Sequence, residues 1–564
     1  MLFKTFAKYL DKLEKTSSRI EITKILAKLF SEASSEEIDK VVNLSLGQLA
    51  PAYENIVFNI AERMMVDVLA EVSGRDKKEA KELYKKKGDL GDAAEEVATG
   101  KGKNLTVSDV FNALKEIAED EGEGSVERKV KGMAKLLSEL DPLSTRFVAR
   151  IPVGKLRLGF SDKTILDALS WMENGDKSAK KALESFYNVR PDVGLLAKKV
   201  KEAGIEKATR GAKPEAGVPI SPMLAQRLKS PKDMIKKMGE VAVEPKLDGL
   251  RLQIHFSRKG VKAYTRNLNE TSWMFPELGD IKNHVNARDL ILDVEAIGVD
   301  EDRQKLANFQ STMTRRRKHQ IEEMAGKIPI VFYVFDILLA DGKDLMDEKY
   351  PERRRELEKV VKEGELFRVV PYEVTKNAEK IAELNEEKKQ EGLEGIMVKR
   401  ANSRYVPGRT GWRWVKMKES EKAAAKLADT LDLVVMGYTR GRGKRATFGV
   451  GQFLAGVKDG GKIKTVTKVG TGLTDKQFKE LSARLNKISV KEKPKNYEVD
   501  KTLEPDFWVT PELVVEIAAD EITKSPNHTA GMALRFPRLI KFRDDKSADQ
   551  ITTLEELKEL AEMQ

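Results

Sequence analysis

The sequence predicts a multidomain α+β protein in three parts: an all-α segment over residues 1–210, a mixed α/β segment over 211–420, and a small β-barrel over 421–564. Three observations predict it. The 564 residues exceed what one hydrophobic core accommodates, and domains of about 100 to 200 residues are the usual outcome. Apolar residues recur at helical spacing before residue 210 and at alternate positions in much of the chain beyond it. Composition breaks twice, at a small, polar, proline-containing stretch from Arg210 to Pro219 and again after Lys418.

Met1 to Lys15 carries a charge every few residues and has no small-residue cleavage site, so it reads as an amphipathic helix and not as a secretory leader. Helical spacing is clear in Ile20, Ile22, Ile25, Leu26, Leu29 and Phe30, and again in Val110, Phe111, Leu114 and Ile117. Two glycine-bounded basic turns interrupt this region. One precedes Arg128, Lys129 and Lys131; the other, Gly154 to Gly159, carries Lys155 and Arg157. Exposed amides and cations at such turns suit phosphate oxygens, and a purely structural turn is the alternative. The Arg210–Pro219 stretch reads as a linker, and strands are expected after it near 241–246, 250–256, 290–298 and 329–337. Glu419 to Ala428 is charged, alanine-rich and helical in character. Alternating strands near 432–437, 450–457, 462–469 and 512–518 then suit a small barrel.

Composition narrows the chemistry. The chain has 102 basic and 91 acidic residues, a net charge of +11, so a polyanion must be met by clusters. Candidates are Arg315-Arg316-Arg317-Lys318, Arg440 to Arg445, and Lys155-Leu156-Arg157. The absence of cysteine excludes disulfides, thiolate metal sites and cysteine nucleophiles. His255, His284, His319 and His528 show no paired ligand spacing, so any metal should be a hard, Mg²⁺-like cation held by carboxylates and phosphates. No apolar run approaches the roughly 18 to 20 residues that cross a bilayer, and a cytoplasmic protein is expected. No GxxxxGK[ST] phosphate loop is present.

The most telling stretch is Glu244-Pro245-Lys246-Leu247-Asp248-Gly249-Leu250-Arg251. It sets one lysine among carboxylates, a glycine and an arginine at the mouth of an alternating strand. A lysine is a nucleophile only when neutral, and nearby cations or desolvation achieve that. Further charges stand at later strand ends: Arg266, Glu295, Glu394, Lys399, Lys416 and Lys418, with the aromatic Phe335 beside Asp336. Each alone is an ordinary rim residue. Together they form the inventory that nucleotidyl transfer requires: a nucleophile, cations for the phosphates, carboxylates for a metal and an aromatic for a base.

The blocks KLDGLR, YTRN, LDVEA, YVFDIL, EGIMVK and WVKMK, preceded by SPMLA and followed by Leu534 to Lys546, resemble in kind and order the motifs of ATP-dependent DNA ligases. The helical segment is similar to the DNA-binding domain of archaeal and eukaryotic replicative ligases. The resemblance implies an adenylation (nucleotidyltransferase) domain with antiparallel sheets and a C-terminal OB-fold. It implies that Lys246 takes AMP from ATP, that Glu244 and Phe335 hold adenine, that Arg251 and Glu295 hold the ribose region, and that Arg266 reaches phosphate. Glu295 and Glu394 would bind Mg²⁺, and Lys416 and Lys418 would meet the α-phosphate and help keep Lys246 neutral. Arg535, Arg543, Asp545 and Lys546 would close over the nucleotide. Lys155, Arg157, Phe309 and Phe536 would contact nicked duplex DNA, the two aromatics as minor-groove wedges. One departure stands out: Tyr405 to Gly411 reads YVPGRTG where the family reads YxPGxRG, so Arg409 stands one position early, with Thr410 in the family arginine's place. A monomer is expected, and no sliding-clamp peptide is visible. Two other readings stay open: an RNA ligase or capping enzyme of the same superfamily, and an inactive DNA-end-binding scaffold.

Overall fold

The computed structural model describes residues 1–16, 18–98, 102–156, 158–228, 230–300, 328–408, 411–417, 430–441, 448–470, 473–519 and 521–562. It divides into two compact units, Met1–Lys418 and Glu419–Gln564.

The first unit begins with helices running from Phe3–Glu14 to Val193–Thr209. Their apolar faces form one core that includes Phe3, Phe6, Leu26, Phe30, Leu114 and Phe147. Side-chain caps start several of them, as where Thr106 and Asp109 close a reciprocal capping box. The cations after the basic turn are paired within the chain, two of them at the surface. Arg128 pairs with Asp120 at 2.6 Å and Lys131 with Glu127 at 2.7 Å. Lys129 is buried and donates to the carbonyls of Phe58 and Ala118.

The predicted linker is fastened down. Gln253 and His255, buried on a middle strand, face it, and the backbone NH groups of Ile220 and Gly217 donate to them at 2.7 and 3.0 Å. Burial pushes the His255 imidazole down to about 3, so it stays neutral and can accept.

Strands β1 (Gln226–Arg227), β2 (Val241–Pro245), β3 (Leu250–Ser257), β4 (Gly260–Thr265), β5 (Leu290–Gly298), β6 (Ile330–Ala340), β7 (Lys343–Asp344), β8 (Phe367–Val369), β9 (Glu373–Thr375), β10 (Ile396–Arg400) and β11 (Trp414–Met417) make two sheets. One runs β1-β11-β10-β2-β9, the other β4-β3-β5-β6-β7 with β8 on β6. The pairings are antiparallel except β1 with β11 and β6 with β8. Helices Pro231–Met238 and Ala378–Gln390 cover the outer face of the first sheet through Met234, Met238, Ile381 and Leu384. Helix Tyr350–Val360 packs Leu357 and Val360 into the core of the second. A third cluster contains Ile220, Met223, Tyr405 and Trp414, with Phe335 and Met397 packed against it.

The second unit comprises β12 (Leu431–Arg440), β13 (Val450–Asp459), β14 (Lys462–Val469), β15 (Ser489–Val490), β16 (Tyr497–Glu498), β17 (Phe507–Val509), β18 (Val514–Ala518), β19 (Glu521–Lys524), β20 (Met532–Arg535) and β21 (Arg538–Phe542). The expected closed barrel is not formed among the described residues. The main sheet runs β15-β17-β12-β13-β14-β16, with β18 joining β12 to β21, and β19 and β20 make a separate hairpin. That hairpin's loop is hydrogen-bonded to β14 through Thr465 with Thr529 and Ala530, and no strand ladder joins the two among the described residues. The helix expected over 419–428 lies outside the described residues.

Candidate functional site

A cavity of about 840 Å³ in the first unit is lined by Glu244, Lys246, Arg251, Arg266, Glu295, Phe335, Lys399 and Lys416, all singled out in the sequence. Strand register explains the convergence. Glu244 on β2 and Lys416 on β11 are both paired with Met397 on β10, so all three side chains leave the same sheet face. Arg251 on β3 is paired with Glu295 on β5 in the other sheet. Phe335 interrupts the alternation of β6: Val294 pairs with Val334 and Asp293 with Asp336, leaving Phe335 as the extra residue of a bulge. A bulge re-aims a side chain, and here it sends the ring into the cavity while Asp336 turns inward.

Lys246 comes directly after β2, and its backbone NH donates to the Gly395 carbonyl at 2.9 Å. Two glycines make room for this arrangement. A Cβ on Gly249 would lie 2.5 Å from the Ala296 carbonyl, and one on Gly395, whose φ is +128°, would lie 2.4 Å from that of Met417. The Lys246 side chain is only 18% exposed, and its ammonium forms an ion pair with Glu394. The amine's nearest charged partner is therefore a carboxylate.

Burial raises the Glu295 carboxyl to about 7, although Arg251 and Lys246 act against the rise and the Gly249 NH donates to it at 3.1 Å. Arg251 donates to Asp293 at 2.9 Å and to the Met223 carbonyl at 2.8 Å. Burial works against its charge, but Asp293, Tyr405 and Glu295 together outweigh that and hold its pKa above the usual arginine value. Tyr405 completes the group, its hydroxyl donating to Asp293 at 2.7 Å and accepting from the Met223 NH at 3.0 Å. The lead-in segment is thereby tied to the cavity wall.

Three residues around this cavity received no role from the sequence, Trp414, Asp293 and Tyr350, and Lys399 received only a place among the cations. Lys399 is 1% exposed, donates to Glu244 at 2.7 Å and to the Phe335 carbonyl at 3.1 Å, and lies 4.4 Å from the Trp414 ring centre. Burial pulls its pKa down against the opposing pull of Glu244 and Asp336. A signal for Lys399 is present in the alternation of β10, where Ile396 and Val398 enter the core and Met397 and Lys399 face the other way. Tyr350 hydrogen-bonds Glu244 from 106 residues away and carries no local signal.

Glu295 and Glu394 are the carboxylates flanking Lys246 that could hold a metal. Among the described residues no group of three or more His, Cys, Asp or Glu side chains is arranged for one. Two oxygen donors fit a hard divalent cation that takes its remaining ligands from substrate phosphates and water.

Other predicted residues lie elsewhere. Lys155 is turned inward, pairing with Glu62 at 2.5 Å and donating to the Tyr84 hydroxyl at 3.2 Å, which leaves its side chain 11% exposed. In the second unit, Arg543 donates to Asp432 at 2.9 Å and to Asp545 at 2.7 Å, and Lys546 donates to Asp432 at 2.6 Å. The Arg543 guanidinium holds the Asp545 carboxyl well below the usual range. Arg535 stands apart, paired with Glu521 at 3.1 Å. Phe536 is no core residue: it is 63% exposed, with φ +50°, at the turn between β20 and β21. Arg157, Phe309, Arg409 and Lys418, with the Arg315–Lys318 cluster, lie outside the described residues. No helix among the described residues is long and apolar enough to cross a membrane.

Comparison with known proteins finds relatives along nearly the whole chain. Residues 2–170, 222–418 and 446–546 match family models described as DNA ligase N terminus, ATP dependent DNA ligase domain and ATP dependent DNA ligase C terminal region. The chain is 40% identical over 571 residues to "Probable DNA ligase" of Dictyoglomus turgidum, covering 99% of this chain and 97% of that one. It is 36% identical over 591 residues to a DNA ligase of Sulfurisphaera tokodaii, covering 100% and 98%. A solved structure named Pmar-Lig_Pre. shares the fold at TM-score 0.55 and 19% identity, covering 95% of this chain and 99% of that one.

Proposed function

Because the chain belongs to the ATP-dependent DNA ligase family, we propose that Lys246 is the residue on which its reaction turns. The protein uses ATP to seal nicks in duplex DNA. In this reading the Lys246 amine attacks the α-phosphorus of ATP. A P–N bond forms, the bond from that phosphorus to the bridging oxygen breaks, and pyrophosphate departs with the electron pair. AMP next passes to the 5′-phosphate at a nick, and the neighbouring 3′-hydroxyl displaces it to form the phosphodiester.

The resting ammonium must lose a proton before it attacks, and Glu394 is the base in contact with it. Glu244 and Phe335 take the adenine, Arg251 and Glu295 the ribose region, and Arg266 and Lys416 the phosphates. Arg409 and Lys418 receive phosphate-side roles from their motif positions. Glu295 and Glu394 would hold Mg²⁺, which when bound neutralises phosphate charge. Arg535, Arg543, Asp545 and Lys546 attend the departing pyrophosphate. Lys155, Arg157, Phe309 and Phe536 contact the duplex, Lys155 only after leaving Glu62. We assign residues 1–210 to DNA binding, 211–420 to adenylation and 421–564 to an OB-fold domain.

The observation that carries this reading is the meeting of Lys246, Glu244, Arg251, Glu295, Phe335 and Lys416, from five strands and one turn, around one cavity. Incubation with ATP labelled at the α-phosphate and Mg²⁺ tests it. A covalent adduct is expected on the wild type, absent in Lys246→Ala, and sealing of a nicked duplex should come after it. Folded wild-type protein that takes up no label would falsify the assignment.

A further inference from the structure

Helix Tyr350–Val360 lies behind the end of the cavity lined by Glu244, Phe335 and Val370. Three of its residues, Tyr350, Arg353 and Arg354, are 0%, 0% and 2% exposed. Their spacing of i, i+3 and i+4 puts them on one helix face. Each reaches a different part of that cavity end. Arg354 donates to the Val370 carbonyl at 2.6 Å. Arg353 grips Asp336, next to Phe335, with two bonds of 2.7 and 3.0 Å. The Tyr350 hydroxyl donates to Glu244 Oε1, the oxygen that also accepts from Lys399. Both buried donors therefore converge on one carboxylate oxygen, and no hydrogen bond to Oε2 is made among the described residues.

We propose that Tyr350 is a positioning residue for nucleobase selection: its hydroxyl, with Lys399, fixes the Glu244 carboxylate so that Oε2 accepts a hydrogen bond from the 6-amino group of adenine. The proposal rests on the adenylation reading and deepens it. A carboxylate is acceptor-only, so it rewards a base with an amino donor at that position and penalises one with a carbonyl oxygen or a bare C–H there. Fixing the acceptor from behind matters because a carboxylate free to rotate surrenders much of that discrimination. Tyr350 itself does not line the cavity, so its effect reaches the base only through Glu244.

Tyr350→Phe removes the hydroxyl and keeps the ring, including its edge contact with Tyr372 at 5.6 Å. The rate of Lys246 adenylation is measured with ATP and with purine riboside triphosphate, which differs from ATP only in lacking the 6-amino group. The expected result is a rise in KM for ATP of roughly tenfold with the maximal rate within about twofold of wild type. The analogue is little affected, so the preference for ATP falls by the same factor. Equal loss for both nucleotides, or an unchanged preference, overturns the proposal. Should Tyr350→Phe fail to fold, the wild type decides, because use of the two nucleotides at equal efficiency also overturns it. A wild type that forms no adduct with either nucleotide refutes the adenylation reading instead, and so is told apart from these results.

Discussion

One half-buried and one buried titratable group set the sharpest expectations at the scale of single residues. Glu295 has its carboxyl raised by burial from 4.5 to about 7. The unfolded chain gives up this proton near 4.5 while the folded protein retains it until about 7, so the folded state binds the extra proton between these values. Stability of the ligand-free protein should therefore fall as pH rises through that window and level off above it. Glu295→Gln should flatten this part of the curve, measured as urea midpoint against pH. Lys399 and Glu244 are a buried pair, and removing one partner strands the other. Lys399→Met should cost about 3 to 5 kcal/mol in urea unfolding, and the double variant with Glu244→Gln should regain much of it. Much of this site was legible in the sequence. A lysine in Glu244–Arg251 and charges at later strand ends suffice to name most of the charged residues that line the cavity. Tyr350 and Asp293 were not legible, because each acts through a partner far away in sequence and nothing local distinguishes it from a core residue.

Among elements, the strands of the middle segment are predictable from their alternation, since β2, β3 and β5 each present one apolar face to a core. Alternation misses irregularity. The bulge that frees Phe335 depends on pairing with β5, and only the partner strand reveals it. The Arg210–Pro219 stretch misleads for a related reason. Its composition is that of a linker, but Gln253, His255 and Tyr264 of neighbouring strands supply the bonds that hold it. The helix Tyr350–Val360 shows how an element can serve a site without touching the substrate, by presenting one face of anchors to a wall. The β3 entrance is equally constrained. Gly249→Ala places a methyl group 2.5 Å from the Ala296 carbonyl and beside Glu295. A loss of about 1 to 3 kcal/mol in stability and at least a tenfold fall in adenylation rate are expected, read by thermal melting and by the labelled adduct.

For the molecule as a whole, net charge overstates the cations available to a nucleic acid. Lys129 and Lys155 are turned inward onto partners in the helical region, whereas Arg128 and Lys131 pair with acids at the surface and stay more than half exposed. The two units also carry separate cores, one set spanning residues up to Lys418 and another beyond it. A fragment of residues 1–418 should fold cooperatively in thermal unfolding. Without Arg535, Arg543 and Lys546 its adenylation should slow by about 100-fold or more, measured by the same label. The barrel reading of the second unit illustrates the limit of strand counting. Short alternating strands specify a curved sheet, but closure depends on whether the last hairpin zips onto β14, and here a pair of threonines stands in that place.

Phe536, in the left-handed region and mostly in water, has a consequence for engineering. A large aromatic gains nothing for folding from such a position and costs about 1 to 2 kcal/mol in backbone conformation. Anyone selecting variants for shelf life alone will find glycine or asparagine winning at this turn. On the proposed contact of Phe536 with the duplex, enrichment for heat tolerance and enrichment for strand joining should pull this position in opposite directions, and a library sorted both ways would show the divergence.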